Sequence, residues 1–281
     1  MSDLEKKYRT LFISDLHLGL GACQADLFLE FFKTVKAEKI YLVGDIIDFW
    51  RIRRKPQWYQ SHNDVIQKLL RRVRKGTEMI YVPGNHDEIL RAYCKMDIAG
   101  IKILRNDIHE TADGRKFLII HGDEFDIVVK HARWLALLGD WSYNVALWMN
   151  THFNWIRRQA GLEYWSLSAY LKQRVKQAVN FIGEFENALS LEAEQRKVDG
   201  VICGHIHQVA MKKIDDVLYL NTGDWVESCT ALGETFDGKF EIIRWVKGQS
   251  IIERELDMQV LPDETPVESV AAKKPAIEDA A

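Results

Sequence analysis

The chain has 281 residues, 47% of them hydrophobic and 28% charged, with 38 Lys and Arg against 41 Asp and Glu for a formal net charge of -3. These values describe a globular protein of one large or two modest domains. The near balance of signs excludes whole-molecule attraction to polyanions, so a nucleic-acid role would require a local basic patch.

Residues 8–14 form a β-type run ending in Asp15, Asp26 to Ala37 has helical apolar spacing, and Lys39 to Val43 is a second strand ending in Gly44-Asp45. The pattern repeats with a helix over Val65 to Val73, a strand over Glu78 to Val82 and a turn at Pro83-Gly84-Asn85. Phe117 to Ile120 is another apolar strand, ending in His121-Gly122-Asp123, and Val198 to Cys203 ends in Gly204-His205. Alternating strands and helices with polar residues at the strand ends predict an α/β protein. From about 123 to 197 a helix-like stretch interrupts the alternation. Trp134, Trp141, Trp148 and Trp155 recur every seven residues there, a spacing that drifts by only about 20° per step on a helix and keeps all four on nearly one face. Gly161 breaks the pattern and Leu167 to Leu189 forms a second helical run. The stripe is either the insertion's own core or the lining of a surface for a large apolar substrate. Short strands follow at about 209–214, 217–221, 228–232, 239–246 and 250–255, with a hairpin turn at Asp237-Gly238. A flexible tail is expected over 261–281.

Cys23, Cys94, Cys203 and Cys229 are widely spaced with no C-x-x-C pair, which predicts reduced thiols in a reducing compartment. Met1 to Lys7 contains no apolar signal core, and no run of 18 uncharged apolar residues occurs. The expected location is the cytoplasm, at most peripheral to a membrane.

The chemistry collects at the strand ends: Asp15-x-His17, Gly44-Asp45-x-x-Asp48, Gly84-Asn85-His86-Asp87, His121-Gly122-Asp123 and Gly204-His205-x-His207. A single histidine near a strand end is most often structural, but five of the nine histidines fall in this set. Imidazoles and carboxylates with an amide oxygen suit first-row dications such as Mn²⁺, Fe²⁺ or Zn²⁺. In Asp-x-His and His-x-His an extended backbone would point both side chains to one side, and the glycines beside Asp45, Asn85, His121 and His205 allow tight turns. So many ligands exceed one tetrahedral site and suit two metals bridged by a carboxylate.

These five blocks, in this order from Asp15 to His207, resemble the calcineurin-like metallophosphoesterases. The resemblance implies a sandwich of two β-sheets flanked by helices, here with a helical insertion, in a domain spanning 1–260. It also implies that Asp15, His17 and His207 hold one divalent metal ion, that Asn85, His121 and His205 hold the other, and that Asp45 bridges them. Mn²⁺ is the first choice, with Fe²⁺, Zn²⁺ or Mg²⁺ as alternatives. Two such ions share a water, lower its pKa and neutralise charge in an in-line displacement at phosphorus. His86 would protonate the departing oxygen or bind a phosphoryl oxygen, with Asp87 orienting its ring. Asp48 and Asp123 would hold ligands or shape turns. The complete ligand set argues against a non-catalytic scaffold.

The blocks Phe-Ile-Ser-Asp-Leu-His-Leu and Gly-Asp-Ile-Ile-Asp-Phe-Trp, together with the insertion, further resemble the UDP-2,3-diacylglucosamine hydrolases. That resemblance implies a lipid-linked nucleotide sugar cleaved at its pyrophosphate to UMP and an acylated sugar phosphate, at the cytoplasmic face of the inner membrane. Trp134 and Trp141 would then contribute to an acyl pocket. One position departs: typical members carry arginine where this chain has His86, which keeps open a phosphodiester or phosphomonoester substrate, soluble or nucleic acid. Arg51, Arg53 and Arg54, beside Trp50, are candidates for binding a phosphate or anionic headgroup, or form a solvated loop. Lys68, Arg71, Arg72, Arg74 and Lys75 read as a helix's polar face. Nothing resembles a base-reading module, so no specific nucleic-acid partner is expected.

Overall fold

A computed structural model describes residues 6–125, 167–246 and 248–254, with backbone alone over 167–180. The first sheet has eight strands, built around the parallel set β1 (Lys6–Ile13), β2 (Val35–Leu42), β3 (Glu78–Tyr81) and β5 (Ile101–Ile103). The two-residue β4 (Asp97–Ile98) closes one edge of it. At the other edge β1 pairs antiparallel with β11 (Thr230–Glu234), followed by β12 (Phe240–Val246) and β13 (Gln249–Arg254). The second sheet runs β6 (Asp107–Glu110), β7 (Lys116–Ile119), β8 (Gly200–Cys203), β10 (Val217–Asn221), β9 (Ala210–Ile214), and β7, β8 and β10 are parallel.

Side-chain alternation explains the layers. In β2, Ile40 and Leu42 pack with the helices α1 (Ala25–Thr34) and α3 (Gln60–Arg74), whereas Tyr41 and the adjoining Val43 face the second sheet. In β7, Phe117 and Ile119 meet the first sheet while Leu118 packs under α4 (Leu167–Gln195) through Phe185 and Leu189. Parallel strands buried on both faces must read as unbroken apolar runs, which is how they appear in the sequence. The amphipathic α1 buries Ala25, Phe28, Phe31 and Phe32, and Trp225, fully buried, stands edge-on to Phe28 at 4.9 Å. Two of the nine tryptophans, Trp225 and Trp245, thus belong to this core.

Several boundaries differ from expectation. The helix expected to reach Ala37 ends at Thr34, because residues 35–37 pair in parallel with Lys6, Lys7 and Tyr8. Arg72 closes that helix end by donating to the carbonyls of Phe32 (2.7 Å) and Val35 (2.6 Å). The strand expected over 228–232 lies at 230–234, because Asp224 Oδ1 accepts from the amides of Val226 and Glu227 and turns the chain there. The hairpin at Asp237-Gly238 is present, with Glu234 opposite Phe240 and Gly238 at φ 85°. The tryptophan stripe at 134–155, Gly161 and the tail lie outside the described residues.

The two sheets are also clipped by a buried polar cluster. Glu234 of β11, whose side chain is fully buried, accepts from Arg9 of β1 (2.6 Å), His109 of β6 (2.7 Å) and the Ala112 amide (2.9 Å). Burial alone would raise the Glu234 carboxyl, but the hydrogen bonds from His109 and Thr10 outweigh it and hold the group below its ordinary value of 4.5. A carboxylate with a lowered folded pKa stabilises the native state above its unfolded pKa and loses that contribution as pH falls through the folded value. Glu234→Gln should therefore cost about 2 kcal/mol at neutral pH. The difference from wild type should shrink as urea melts are moved below pH 4.5; a gap that stays constant with pH would show that the charge is not what matters.

Candidate metal centre

The polar residues at the ends of β1, β2, β3, β7, β8 and β10 converge where the two sheets meet. Both parallel sets deliver their carboxyl-terminal ends to this edge, the usual position of ligand sites in α/β sheets. Asp15 and His17 follow β1, Asp45 and Asp48 follow β2, Asn85 and His86 follow β3, His121 follows β7, and His205 and His207 follow β8.

The backbone carrying them is strained. Asp15, His17, Asp45, His205 and His207 all have positive φ, between 51° and 71°, and they make up five of the ten such non-glycine residues among the described residues. Left-handed backbone at a non-glycine residue costs of order 1 kcal/mol or more. The expectation that strand alternation aligns Asp15 with His17 and His205 with His207 is therefore corrected. β1 ends at Ile13 and β8 at Cys203, and left-handed turns aim these side chains. The turns are held by the Asp15 amide on the Gly44 carbonyl (3.0 Å) and the His17 amide on the Asp45 carbonyl (2.9 Å). Gly84 is required for close approach, since a β-carbon there would strike the Asp45 carboxylate and the His121 ring.

The ligand atoms fall into overlapping groups: Asp15, His17 and His207 in one, Asp45, His121 and His205 in another, and His17, Asp45 and His86 between them. His207 Nε2 lies 3.1 Å from Asp15 Oδ1 and 3.2 Å from His17 Nε2. Asp45 Oδ2 lies 3.4 Å from His121 Nε2 and 3.7 Å from His17 Nε2. Neighbouring ligands of a dication with bonds of about 2.1 Å stand roughly 3.0 to 3.4 Å apart, so these separations suit coordination. His121 Nδ1 donates to the Val43 carbonyl (2.8 Å), which leaves Nε2 as the ligating nitrogen. Asp15 Oδ1, Asn85 Oδ1 and His121 Nε2 are buried with no hydrogen-bond partner. Such atoms each cost about 1–3 kcal/mol, and a bound cation would remove that cost. The donor set fits two divalent ions.

Charge in the cluster is strongly coupled. Burial would raise Asp15, but His207 and His17 hold it well below the usual carboxylate range. Asp45 is likewise lowered against its burial, chiefly by His121. Burial would lower the two imidazoles, yet hydrogen bonds to Asp15 and Asp48 push His17 up to about 9, and Asp45 pushes His121 up to about 10. The pocket demands positive charge, which protons supply when cations do not.

Asp48 joins three elements. It caps α2 (Phe49–Arg54) by accepting from the Arg51 amide (2.7 Å), and it meets His17 Nδ1 at 3.2 Å and His86 Nδ1 at 2.9 Å. The expectation that Asp87 orients His86 is thereby corrected: Asp48 is the carboxylate at that ring. Asp87 accepts instead from the amides of Gly84 (2.6 Å) and Ile46 (2.8 Å) and from the Tyr81 hydroxyl, and so braces the turn. Its own carboxyl is raised by burial and by the charge of Asp45. Asp123 accepts from Arg91 (2.6 Å). Arg51, Arg53 and Arg54 are exposed on α2, which is a helix where a loop was expected. Trp134 and Trp141 lie outside the described residues.

Other residues complete the setting. Ser14 donates to Asp15 Oδ2 and sits 2.5 Å from Thr222 Oγ1. Asn221 Nδ2 holds the Gly204 carbonyl (2.8 Å), fixing the turn that carries His205. His62 accepts from the Gly19 amide (3.2 Å) after His17. Trp50, 40% exposed, lies against His86 with ring centroids 4.5 Å apart and planes tilted by 36°. Asn221-Thr222 obeys the same rule as the five motifs, polar residues ending an apolar strand, and was readable on that basis. His62 and Arg91 carry no such signal.

Two UDP-2,3-diacylglucosamine hydrolases are among this chain's relatives. That of Aliivibrio fischeri is 33% identical over 122 residues, 40% of this chain and about half (47%) of that protein's length. That of Vibrio cholerae is 23% identical over 240 residues, 79% of this chain and 93% of that protein. Among solved structures, Vps29 of Entamoeba histolytica complexed with zinc is 17% identical, covers 87% of this chain and 97% of that one, and has a TM-score of 0.44. The family model for calcineurin-like phosphoesterases matches residues 8–209, a stretch that includes all five motif blocks. The chain belongs to the calcineurin-like phosphoesterase family and is a metal-dependent hydrolase.

Proposed function

We propose that the protein hydrolyses the pyrophosphate of UDP-2,3-diacylglucosamine or a related lipid-linked nucleotide sugar, releasing UMP and an acylated sugar phosphate. The observation that carries this is the pair of three-residue ligand groups, linked by the intervening His17, Asp45 and His86 group where the two sheets meet, in a chain similar over 79% of its length to a UDP-2,3-diacylglucosamine hydrolase. In this reading Asp15, His17 and His207 hold one cation, Asn85, His121 and His205 the other, and Asp45 bridges them, with Mn²⁺ as the favoured metal. When bound, the ions supply Lewis acidity and a water of lowered pKa. His86, fixed at Nδ1 by Asp48 and covered by Trp50, binds a phosphoryl oxygen or delivers a proton to the departing oxygen through Nε2. Asp48 also sets the ring of His17. The arginines of α2 attract the anionic substrate. No helix among the described residues is long and apolar enough to cross a membrane. In this reading the protein meets the bilayer through its lipid substrate, at the cytoplasmic face.

A second reading follows from the His86 and Asp48 pair itself. A histidine oriented by a carboxylate is equipped to protonate an alkoxide, which a phosphate leaving group does not need. A phosphodiester or phosphomonoester substrate would use that pair. Incubation with UDP-2,3-diacylglucosamine should yield UMP, detected by chromatography. Cleavage of bis-p-nitrophenyl phosphate without any UMP release would replace the first reading by the second.

Chelation with EDTA followed by gel filtration should abolish turnover, and added Mn²⁺ should restore it; activity untouched by chelation would sink the metal mechanism. Asp45→Ala should lower kcat/KM by at least about 10³-fold, the scale of removing a central electrostatic group. Asp48→Ala should reduce activity about 10- to 100-fold while costing only about 1 kcal/mol of helix-cap stability. Melting curves and initial rates on the same samples would separate the two effects.

A further inference from the structure

Arg91 lies on the short 3₁₀ turn Glu88–Tyr93, which follows the Asn85-His86-Asp87 loop. Its Nη2 donates to the carbonyl of Pro83 (3.1 Å) and to Asp123 Oδ1 (2.6 Å). The pair is largely enclosed, with side chains 21% and 9% exposed. Pro83 stands two residues before Asn85, and Asp123 two residues after His121. One guanidinium thus ties the loop leaving β3 in the first sheet to the loop leaving β7 in the second. These strands belong to different sheets and share no ladder hydrogen bonds, so the spacing between the two loops depends on side-chain contacts of this kind. Both bonds leave the same terminal nitrogen, and a lysine, whose stem is one bond shorter than that of arginine, would hold its nitrogen farther from both acceptors.

We propose that Arg91, through Pro83 and Asp123, is a positioning residue that sets the spacing of Asn85 and His121 and thereby the affinity of one metal position but not the other. This rests on the two-metal reading above. In the Asp15, His17 and His207 group, Asp15 Oδ2 accepts from Ser14 and the His205 amide, and the His17 amide donates to the Asp45 carbonyl. None of those bonds passes through Arg91.

The test is a Mn²⁺ titration of the full-length protein after chelation, followed by calorimetry and by the Mn²⁺ paramagnetic resonance signal. His121→Ala and Asp15→Asn mark which step belongs to which position. Arg91→Lys and Asp123→Asn should each weaken the step that His121→Ala removes, by about 10- to 100-fold, and leave the step lost in Asp15→Asn unchanged. Asp123→Asn keeps the Pro83 bond, and circular dichroism identifies the variants that retain the native fold. Equal weakening of both steps would reduce the clamp to general stability, and two unchanged steps in natively folded variants would overturn it directly. Fewer than two Mn²⁺ bound by the wild type would instead remove the two-metal reading and the clamp with it.

Discussion

Four buried carboxylates, Asp15, Asp45, Asp48 and Asp87, crowd the edge where the two sheets meet, and most of the local architecture answers their mutual repulsion. Isolated ionised groups in such a place would be very costly. Each receives a different compensation. Asp87 is surrounded by amides and Tyr81, Asp48 by a helix cap and two imidazoles, Asp15 by Ser14 and the His205 amide on one oxygen, and Asp45 by the His86 amide on one oxygen. What remains uncompensated are Asp15 Oδ1 and Asp45 Oδ2, and these are the oxygens facing the histidine nitrogens. Positive charge is wanted at those two places, and the unpartnered Asn85 Oδ1 is a further acceptor for it.

The sandwich makes this concentration affordable. The last residues of the parallel strands are apolar and buried, as in Leu11–Ile13 of β1 and Ile40–Leu42 of β2, and the polar ligands follow directly after them. Helices on one side and α4 on the other seal the sheets, and Phe185 of α4 packs near the His205 ring (6.0 Å). The helix α4 thus touches the ring of a candidate metal ligand.

Much of this was readable beforehand because apolar runs ending in Asp, Asn or His are a one-dimensional signature of doubly covered strands. The carboxylate partner of His86 was not. Asp87 is its neighbour in sequence, but the turn after β3 rotates that side chain toward amides, and Asp48 reaches the ring from the cap position just before α2. The left-handed backbone at Asp15, His17, Asp45, His205 and His207 was also hidden, because no residue type announces it as glycine does. Val35 to Ala37 suited one more helical turn locally, and only pairing with β1 decided otherwise. β4, β5 and β6 are too short for periodicity to register.

The centre is drawn from residues 15 to 207, and the Asp15 carboxylate accepts the amide of a residue 190 positions away. Contacts of such long sequence separation form late, after loop-closure entropy has been overcome. Three of the seven candidate ligands, His121, His205 and His207, arrive with the second sheet, so a complete site forms only once both sheets are in place. Ions binding only the finished structure stabilise it by slowing its disassembly. In kinetic terms bound cations would act as a latch on the native state, closing a protein that has already found its shape.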